Sequence, residues 1–226
     1  DGADENMFRI STNVVNQIDF LNSVSYDSMN SQLARVNDED ESIVIYEPMQ
    51  GWVVVGRNRL YGEYIDDVSG YSISMSKDTE RVAIGGYKSN GNDRSINNAG
   101  NVTIFDFNDS DAKWYQVGNH IYGLQPGDHS GNSISISDDG SRIAIGSYLS
   151  DGNDGMKTDC GSTRIYDYNS NLNNWNIVGN IIYGEQALDE SGSSVSLSGD
   201  GTTVAIGSPN FNNGSGHTRM FSLTTD

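Results

Sequence analysis

One cysteine, Cys160, stands in 226 residues, so neither an intrachain disulfide nor a cysteine-based zinc cluster can form. No apolar run approaches the ~20 residues that a membrane-spanning helix needs. Basic residues are scarce, 13 Lys+Arg against 31 Asp+Glu, and the net charge of −18 repels phosphate backbones and anionic lipid. Nucleic acid and membrane insertion are therefore excluded as expectations. Only 3 residues are Pro and 35% are hydrophobic, and no 3.6-residue apolar period is sustained, so almost no helix is predicted. Abundance lies elsewhere. The 26 Gly, with many Ser, Asn and Asp, predict short elements joined by tight turns, over a length that suits one domain, 1–226.

A repeat organises the chain. SGYSISMSKDTERVAIG from Ser69, SGNSISISDDGSRIAIG from Ser130 and SGSSVSLSGDGTTVAIG from Ser191 align without gaps at a spacing of 61 residues. Each follows a Tyr-Gly pair and an Asp two residues before the Ser (Asp67, Asp128, Asp189). Each precedes a further apolar segment, VTIFDF, TRIYDY or TRMFSL; Trp segments begin at Trp52, Trp114 and Trp175. A worn copy fills the first 50 residues, with Ala34 aligned under Ala83. In SVSLS, Ser alternates with Val195 and Leu197, the period of a strand with two different faces. Asp139-Gly140 and Asp200-Gly201 signal two-residue hairpins, and Lys77-Asp78-Thr79, lacking Gly, predicts a different turn.

Four-stranded antiparallel units repeating at this length predict an all-β fold, a β-propeller with blades at about 23–56, 72–118, 133–179 and 194–223. The predicted strand order within a blade is SxSxS, AIG, RIYDY, then the Trp strand. The last unit carries no Trp strand, so residues 7–15 are expected to close that blade and complete a ring of four; the alternative is a fragment of a six- or seven-bladed ring.

The run S-G-x-S-[IV]-S-x-S-x-D-G-x-x-x-A-I-G, with Gly207-Ser208-Pro209 after the last copy, resembles FG-GAP repeats, the blades of the integrin α-chain propeller and of many bacterial and algal surface proteins. The resemblance covers about residues 20–223 and implies the propeller blade more than any activity. In that family, DxDxDG loops between the first two strands hold calcium. Here the corresponding hairpins, such as Ser137–Ser141, are too short to supply the ~6–8 oxygens calcium takes.

The remaining metal candidate is the loop 147–162, where Asp151, Asn153, Asp154 and Asp159 offer oxygens suited to calcium; its counterpart 86–101 offers Asn90, Asn92 and Asp93. These residue types equally serve as turn formers. The once-per-blade Asp67, Asp128 and Asp189 read as turn holders and the Trp residues as blade packing. No G-x-S-x-G elbow or HExxH motif is present, and Asp128-His129-Ser130 are neighbours that point apart, so no catalytic residue is predicted. Asn101, Asn108 and Asn213 begin N-glycosylation sequons.

What differs between copies is the loops after the AIG strand, which predict a binding rim. The function expected is a non-enzymatic extracellular binding, adhesion or assembly module that recognises a protein or glycan through loops 86–101 and 147–162. The alternatives are a structural subunit of a larger assembly and a propeller-fold hydrolase or lyase. The enzyme reading demands titratable groups from different blades, converging with perturbed pKa values. An Asp at position 1 and the acidic, Ser- and Asn-rich composition suggest a processed, secreted or surface protein.

Overall fold

The computed structural model describes residues 54–153 and 155–224 in full, and the backbone strands at 24–27, 32–36 and 43–46. Two compact units divide the chain, Asp1–Arg57 with Asp109–Lys113, and Asn58–Asn108 with Trp114–Asp226.

In the first unit, β1 (Val24–Asp27), β2 (Gln32–Val36) and β3 (Ile43–Tyr46) form an antiparallel sheet in that order. The second unit carries three sheets. β4 (Ser72–Met75), β5 (Arg81–Gly86), β6 (Asn101–Asn108) and β7 (Lys113–Gln116) pair in sequence, with β8 (Ile121–Tyr122) added on β6. β9 (Ser133–Ile136), β10 (Arg142–Ser147), β11 (Ser162–Asn169) and β12 (Asn174–Ile177) repeat the order, with β13 (Ile182–Tyr183) on β11. β14 (Ser194–Leu197), β15 (Thr203–Ser208) and β16 (His217–Ser222) make the last sheet, and a short turn, Phe211–Gly214, with Asn212 and Asn213 left-handed, lies between its last two strands.

The fold is all-β and propeller-like. Register shows that the four copies are one unit repeated, because Ser25↔Ala34, Ser74↔Ala83, Ser135↔Ala144 and Ser196↔Ala205 are all cross-strand partners. The predicted strand order holds in the two sheets whose four strands are all described. The two-residue strands β8 and β13 were not anticipated. Residues 7–15, expected to close the last blade, lie outside the described residues.

Within the second unit, sheets pack face to face. Ala83, Val102 and Ile104 from one sheet meet Ile134, Ile136, Ile143 and Trp175 from the next. Ala144, with Ile165 and Ile182, meets Leu197, Val204 and Ile206 in the same way. Burying each of the Val, Leu and Ile side chains among them contributes roughly 1.5–3 kcal/mol, so these seams hold the sheets together. The serines of the first strands add direct bonds: Ser72 Oγ donates to the Gly131 carbonyl and Ser133 Oγ to that of Gly192, both at 2.7 Å. The seam leaves no space for a side chain at Gly85 or Gly146, whose Cβ atoms would strike the Gly131 and Gly192 carbonyls.

Arginines finish the seams. Arg164 is 2% exposed and donates to the Tyr122 carbonyl at 3.1 Å, Ser130 Oγ at 2.7 Å and Tyr166 Oη at 2.8 Å. Arg219 reaches the Tyr183 carbonyl and Ser191 Oγ in the same manner. A buried guanidinium survives because fixed acceptors replace its water.

The hairpins correct two expectations. Asp139-Gly140 is not a two-residue turn: Ser137 N–H bonds the Arg142 carbonyl, and Gly140 N–H returns to the Ser137 carbonyl, leaving a four-residue connection with Gly140 at φ 69°. Nor does the Gly-less copy use another turn. Thr79 adopts φ 65° and its N–H bonds Ser76 in the same way. The Asp of the turn is the shared fixture: Asp78 accepts from Ser76 Oγ at 2.5 Å and Glu80 N–H at 3.0 Å, as Asp139 and Asp200 accept from Ser137 and Ser141 and from Ser198 and Thr202.

Candidate functional site

Three described repeats each present one residue from a strained turn. After the recurring Asp, the chain takes a left-handed conformation at Val68 (φ 55°), His129 (φ 53°) and Glu190 (φ 52°), a region costly for any residue with a Cβ. The turn is over-determined. Asp128 accepts the N–H groups of Leu124 and Gln125, both at 2.9 Å, and Asp189 does the same for Glu185 and Gln186. The preceding loop, 86–101, clamps the other side: His129 N–H bonds the Asn98 carbonyl at 3.1 Å, and Ser130 N–H that of Ala99 at 2.8 Å. The backbone is thus held while residue 129 faces outward.

Around His129 lies an aromatic row. Tyr87, the second residue of loop 86–101, meets the imidazole edge-on with centroids 5.3 Å apart, and Tyr71 packs on Tyr87 at 4.4 Å. On the other side Tyr148, the second residue of loop 147–162, lies 5.5 Å from the imidazole, with its Oη 3.2 Å from Nδ1. Among the described residues Nε2 makes no hydrogen bond, so it is available to a ligand. Tyr71 is 56% exposed and leaves the row open to solvent. Two neighbouring sheets and the loops 86–101 and 147–162 therefore build one cluster.

Its protonation states follow from the surroundings. Burial first, then the nearby Lys88 cation, push the His129 pKa down, favouring neutral imidazole. Burial raises that of Tyr148, and the charges of Tyr87 and Glu190 add to it, so the phenol keeps its proton. Asp128 is also raised by burial, against the lowering effect of its two N–H bonds.

No protein-family model matches the chain, and no curated protein does. One solved structure that matches is the periplasmic gluconolactonase of Pseudomonas aeruginosa, at 15% identity and a TM-score of 0.42, over 79% of this chain. The chain spans 43% of that protein's length. The expectation of a non-enzymatic binding module is corrected here. Two titratable groups with displaced pKa values, His129 and Tyr148 of one sheet, meet beside Tyr71 and Tyr87 of the neighbouring sheet, a cluster that a purely binding rim was expected to lack. The likeness to FG-GAP repeats remains one of the quoted residues, with no family model behind it.

The other predicted residues fall as follows. Asp128-His129-Ser130 do not act together, since Asp128 turns inward to the backbone and Ser130 Oγ takes the Arg164 bond. In the loops, Asp151 accepts Asp159 N–H and Asn90 accepts Asn98 N–H, each at 2.9 Å, so corresponding residues staple corresponding loops. Asp93 likewise accepts Ser95 N–H at 3.0 Å. Asp154 lies outside the described residues, and among those described no three His, Cys, Asp or Glu groups come together to hold a metal. Trp175 packs in a seam, and Trp114 packs on Val82, Ile84 and Phe107 of its own sheet. Asn101 is buried within β6, which removes its sequon from the surface. Cys160 is buried, its thiol pKa raised by burial and its Sγ 3.5 Å from the Ser150 carbonyl, so it is inert.

The remaining histidines stand apart. His120 Nδ1 is 2.7 Å from Thr103 Oγ1 and its Nε2 is 3.9 Å from Glu63. His217 stacks on Phe211 at 3.9 Å. Sequence reasoning missed the tyrosines. The available signal was that Tyr87 and Tyr148 occupy the place of Pro209, so two copies carry an aromatic where the third does not.

Proposed function

We propose that the chain is a propeller-fold hydrolase that opens an ester-type bond in an uncharged, carbohydrate-like substrate, with His129 as general base. The observation that carries this is the 3.2 Å contact between His129 Nδ1 and Tyr148 Oη, beside an Nε2 left open to a ligand. In the productive tautomer Nδ1–H donates to Tyr148 Oη, leaving the Nε2 lone pair for water. As the water oxygen attacks the carbonyl carbon, Nε2 takes its proton. Tyr148 Oη–H donates to the oxygen that becomes negative, and the imidazolium returns the proton to the departing alkoxide. A depressed His pKa keeps this base free near neutral pH, and a raised Tyr pKa keeps the donor protonated.

Tyr71 and Tyr87 offer the flat apolar faces on which a sugar ring stacks. Hydrolysis is preferred to elimination because eliminating lyases act beside a substrate carboxylate. The net charge of −18, with Asp128, Asp159 and Glu190 set against the single Lys88 near the cluster, disfavours such an anion. The reading takes the sheets as blades of an FG-GAP-like propeller acting at the cell surface or outside the cell.

The test is turnover of acetylated sugars, sugar lactones and p-nitrophenyl esters by the wild type, His129→Gln and Tyr148→Phe. Removing the base should lower kcat about 10²–10⁴-fold with melting temperature unchanged. Turnover unaffected by His129→Gln would remove this residue and the proposal with it.

A further inference from the structure

Lys88 is the cation of the His129 cluster, and the hydrolytic cycle described above leaves it unused. It follows Tyr87 in loop 86–101, and its side chain is exposed. Its backbone is fixed, since Lys88 N–H bonds the Asp67 carbonyl at 3.3 Å. Its ammonium stands over the Tyr87 ring, 5.5 Å from the centroid, and the same ring meets His129 edge-on at 5.3 Å. One tyrosine thus carries the ammonium on its face and the imidazole beside it. At the corresponding positions of the next two repeats stand Leu149 and Asn210, so the charge belongs to this site and not to the architecture.

The acids nearby do not neutralise it. Asp128 is 4% exposed and its carboxylate holds the Leu124 and Gln125 N–H groups. Asp67, one repeat earlier, is 3% exposed and accepts the Tyr64 N–H at 3.0 Å. Asp159 and Glu190 bear on the cluster from loop 147–162 and from the next turn. Among the described residues Lys88 forms an ion pair with none of them. An ammonium on a flexible four-carbon stem, with three N–H donors, can therefore turn from the Tyr87 ring to an anionic oxygen. Its charge already reaches the imidazole, where it adds to burial in lowering the His129 pKa.

Ester hydrolysis makes an anionic oxygen twice. The carbonyl oxygen becomes negative as water adds. Once the alkoxide has left with the proton of the imidazolium, the new acid gives its own proton to solvent and stands as a carboxylate near neutral pH. We infer that Lys88 is the anion-holding group of the site: beside Tyr148 Oη it takes the carbonyl oxygen as that oxygen becomes negative, and it then holds the carboxylate released. The inference rests on the hydrolase reading and adds a regulation to it, inhibition by the hydroxy acid that the reaction produces. Asp159, Glu190 and the net charge of −18 keep that complex weak, so the product leaves.

The test follows the His129 imidazole signals by NMR in the wild type, Lys88→Met and Lys88→Arg. The probe is sodium gluconate, the acid to which a sugar lactone opens, at constant ionic strength, with glucitol as the same carbon chain without the charge. Saturable shifts with a midpoint of about 1–10 mM are expected for the wild type. The midpoint should rise about tenfold or more in Lys88→Met and stay within about threefold in Lys88→Arg. Without ligand, His129 should titrate at higher pH in Lys88→Met than in the wild type. On an ester that the wild type turns over, kcat should fall about 10²–10³-fold in Lys88→Met. No gluconate shift at concentrations on the order of 100 mM, equal midpoints in wild type and Lys88→Met, or glucitol shifts as large as those of gluconate would each overturn the inference. Turnover that needs His129 and is unchanged in Lys88→Met would overturn it while leaving the hydrolase reading in place. Gluconate binding that depends on Lys88, in a protein that turns over no ester, would support the anion site and remove the hydrolase reading.

Discussion

His129 shows how a single side chain acquires a chemical state from its place in a repeat. The same turn displays Val68 in one copy and Glu190 in another, so the turn is architecture and the imidazole is the variable part. The environment that makes His129 a base also makes it a liability in acid. Its folded pKa lies below the ordinary 6.5, so on acidification the unfolded chain takes up the proton first. Stability held by the neutral ring is complete above about pH 6.5 and is lost as pH falls through that value toward the lower folded one. Wild type should therefore lose more stability than His129→Gln between about pH 7.5 and 5, as read from urea midpoints at the two pH values. Equal losses would show that the imidazole is solvated in both states, and the burial argument for a neutral base would fail with it.

At the scale of the element, the hairpin between the first two strands of each sheet is a shared device whose members differ in one residue. Gly140 and Gly201 enter the left-handed region at φ 69° and 70° without a Cβ, whereas Thr79 does so with a β-branched side chain. The left-handed conformation costs such a residue roughly 1–2 kcal/mol, and Gly returns roughly 0.5–1 kcal/mol of that as added freedom in the unfolded chain. Thr79→Gly should consequently stabilise the protein by about 0.5–1 kcal/mol, while Gly140→Thr should cost it more than that, since its Cβ would also lie 3.0 Å from Arg81 Cδ, both measurable by chemical denaturation. A destabilising Thr79→Gly would mean that the threonine side chain makes a contact outweighing its strain.

The same elements show what a linear reading can and cannot recover. The Ser–Ala register was visible because alternation along a strand is a local property, and it recurred even in the worn copy. Arg164 was not, because a charged residue within TRIYDY reads as solvent-facing, and its acceptors, Tyr122 and Ser130, lie on other strands and turns. β8 and β13 are too short for any period to appear. His129 was judged by its sequence neighbours Asp128 and Ser130. Its partners are Tyr87 and Tyr148, about 40 residues before it and 20 after, brought together only by sheet packing and by loops clamped to the next turn.

Across the whole molecule the governing quantity is charge. Thirty-one acidic side chains face 13 basic ones, and the most organised cations, Arg81 and Arg142, are each already committed to an Asp. Two effects of salt then compete. Screening weakens exposed ion pairs, each contributing about 0–1 kcal/mol, and it also relieves the mutual repulsion of the uncompensated carboxylates. The excess of −18 exceeds the few bridges, and Arg81 and Arg142 are held bidentately in half-buried seams where screening reaches them least. The melting temperature should accordingly rise as sodium chloride goes from about 10 mM to about 300 mM, over which the screening length contracts from about 30 Å to about 6 Å. Choline chloride should give the same rise, since the mechanism is screening rather than occupation of a cation site. A rise with sodium chloride alone would point to ion binding, and a fall with either salt would mean that the ion pairs of the seams, rather than the surplus of acid, dominate the electrostatics of the fold.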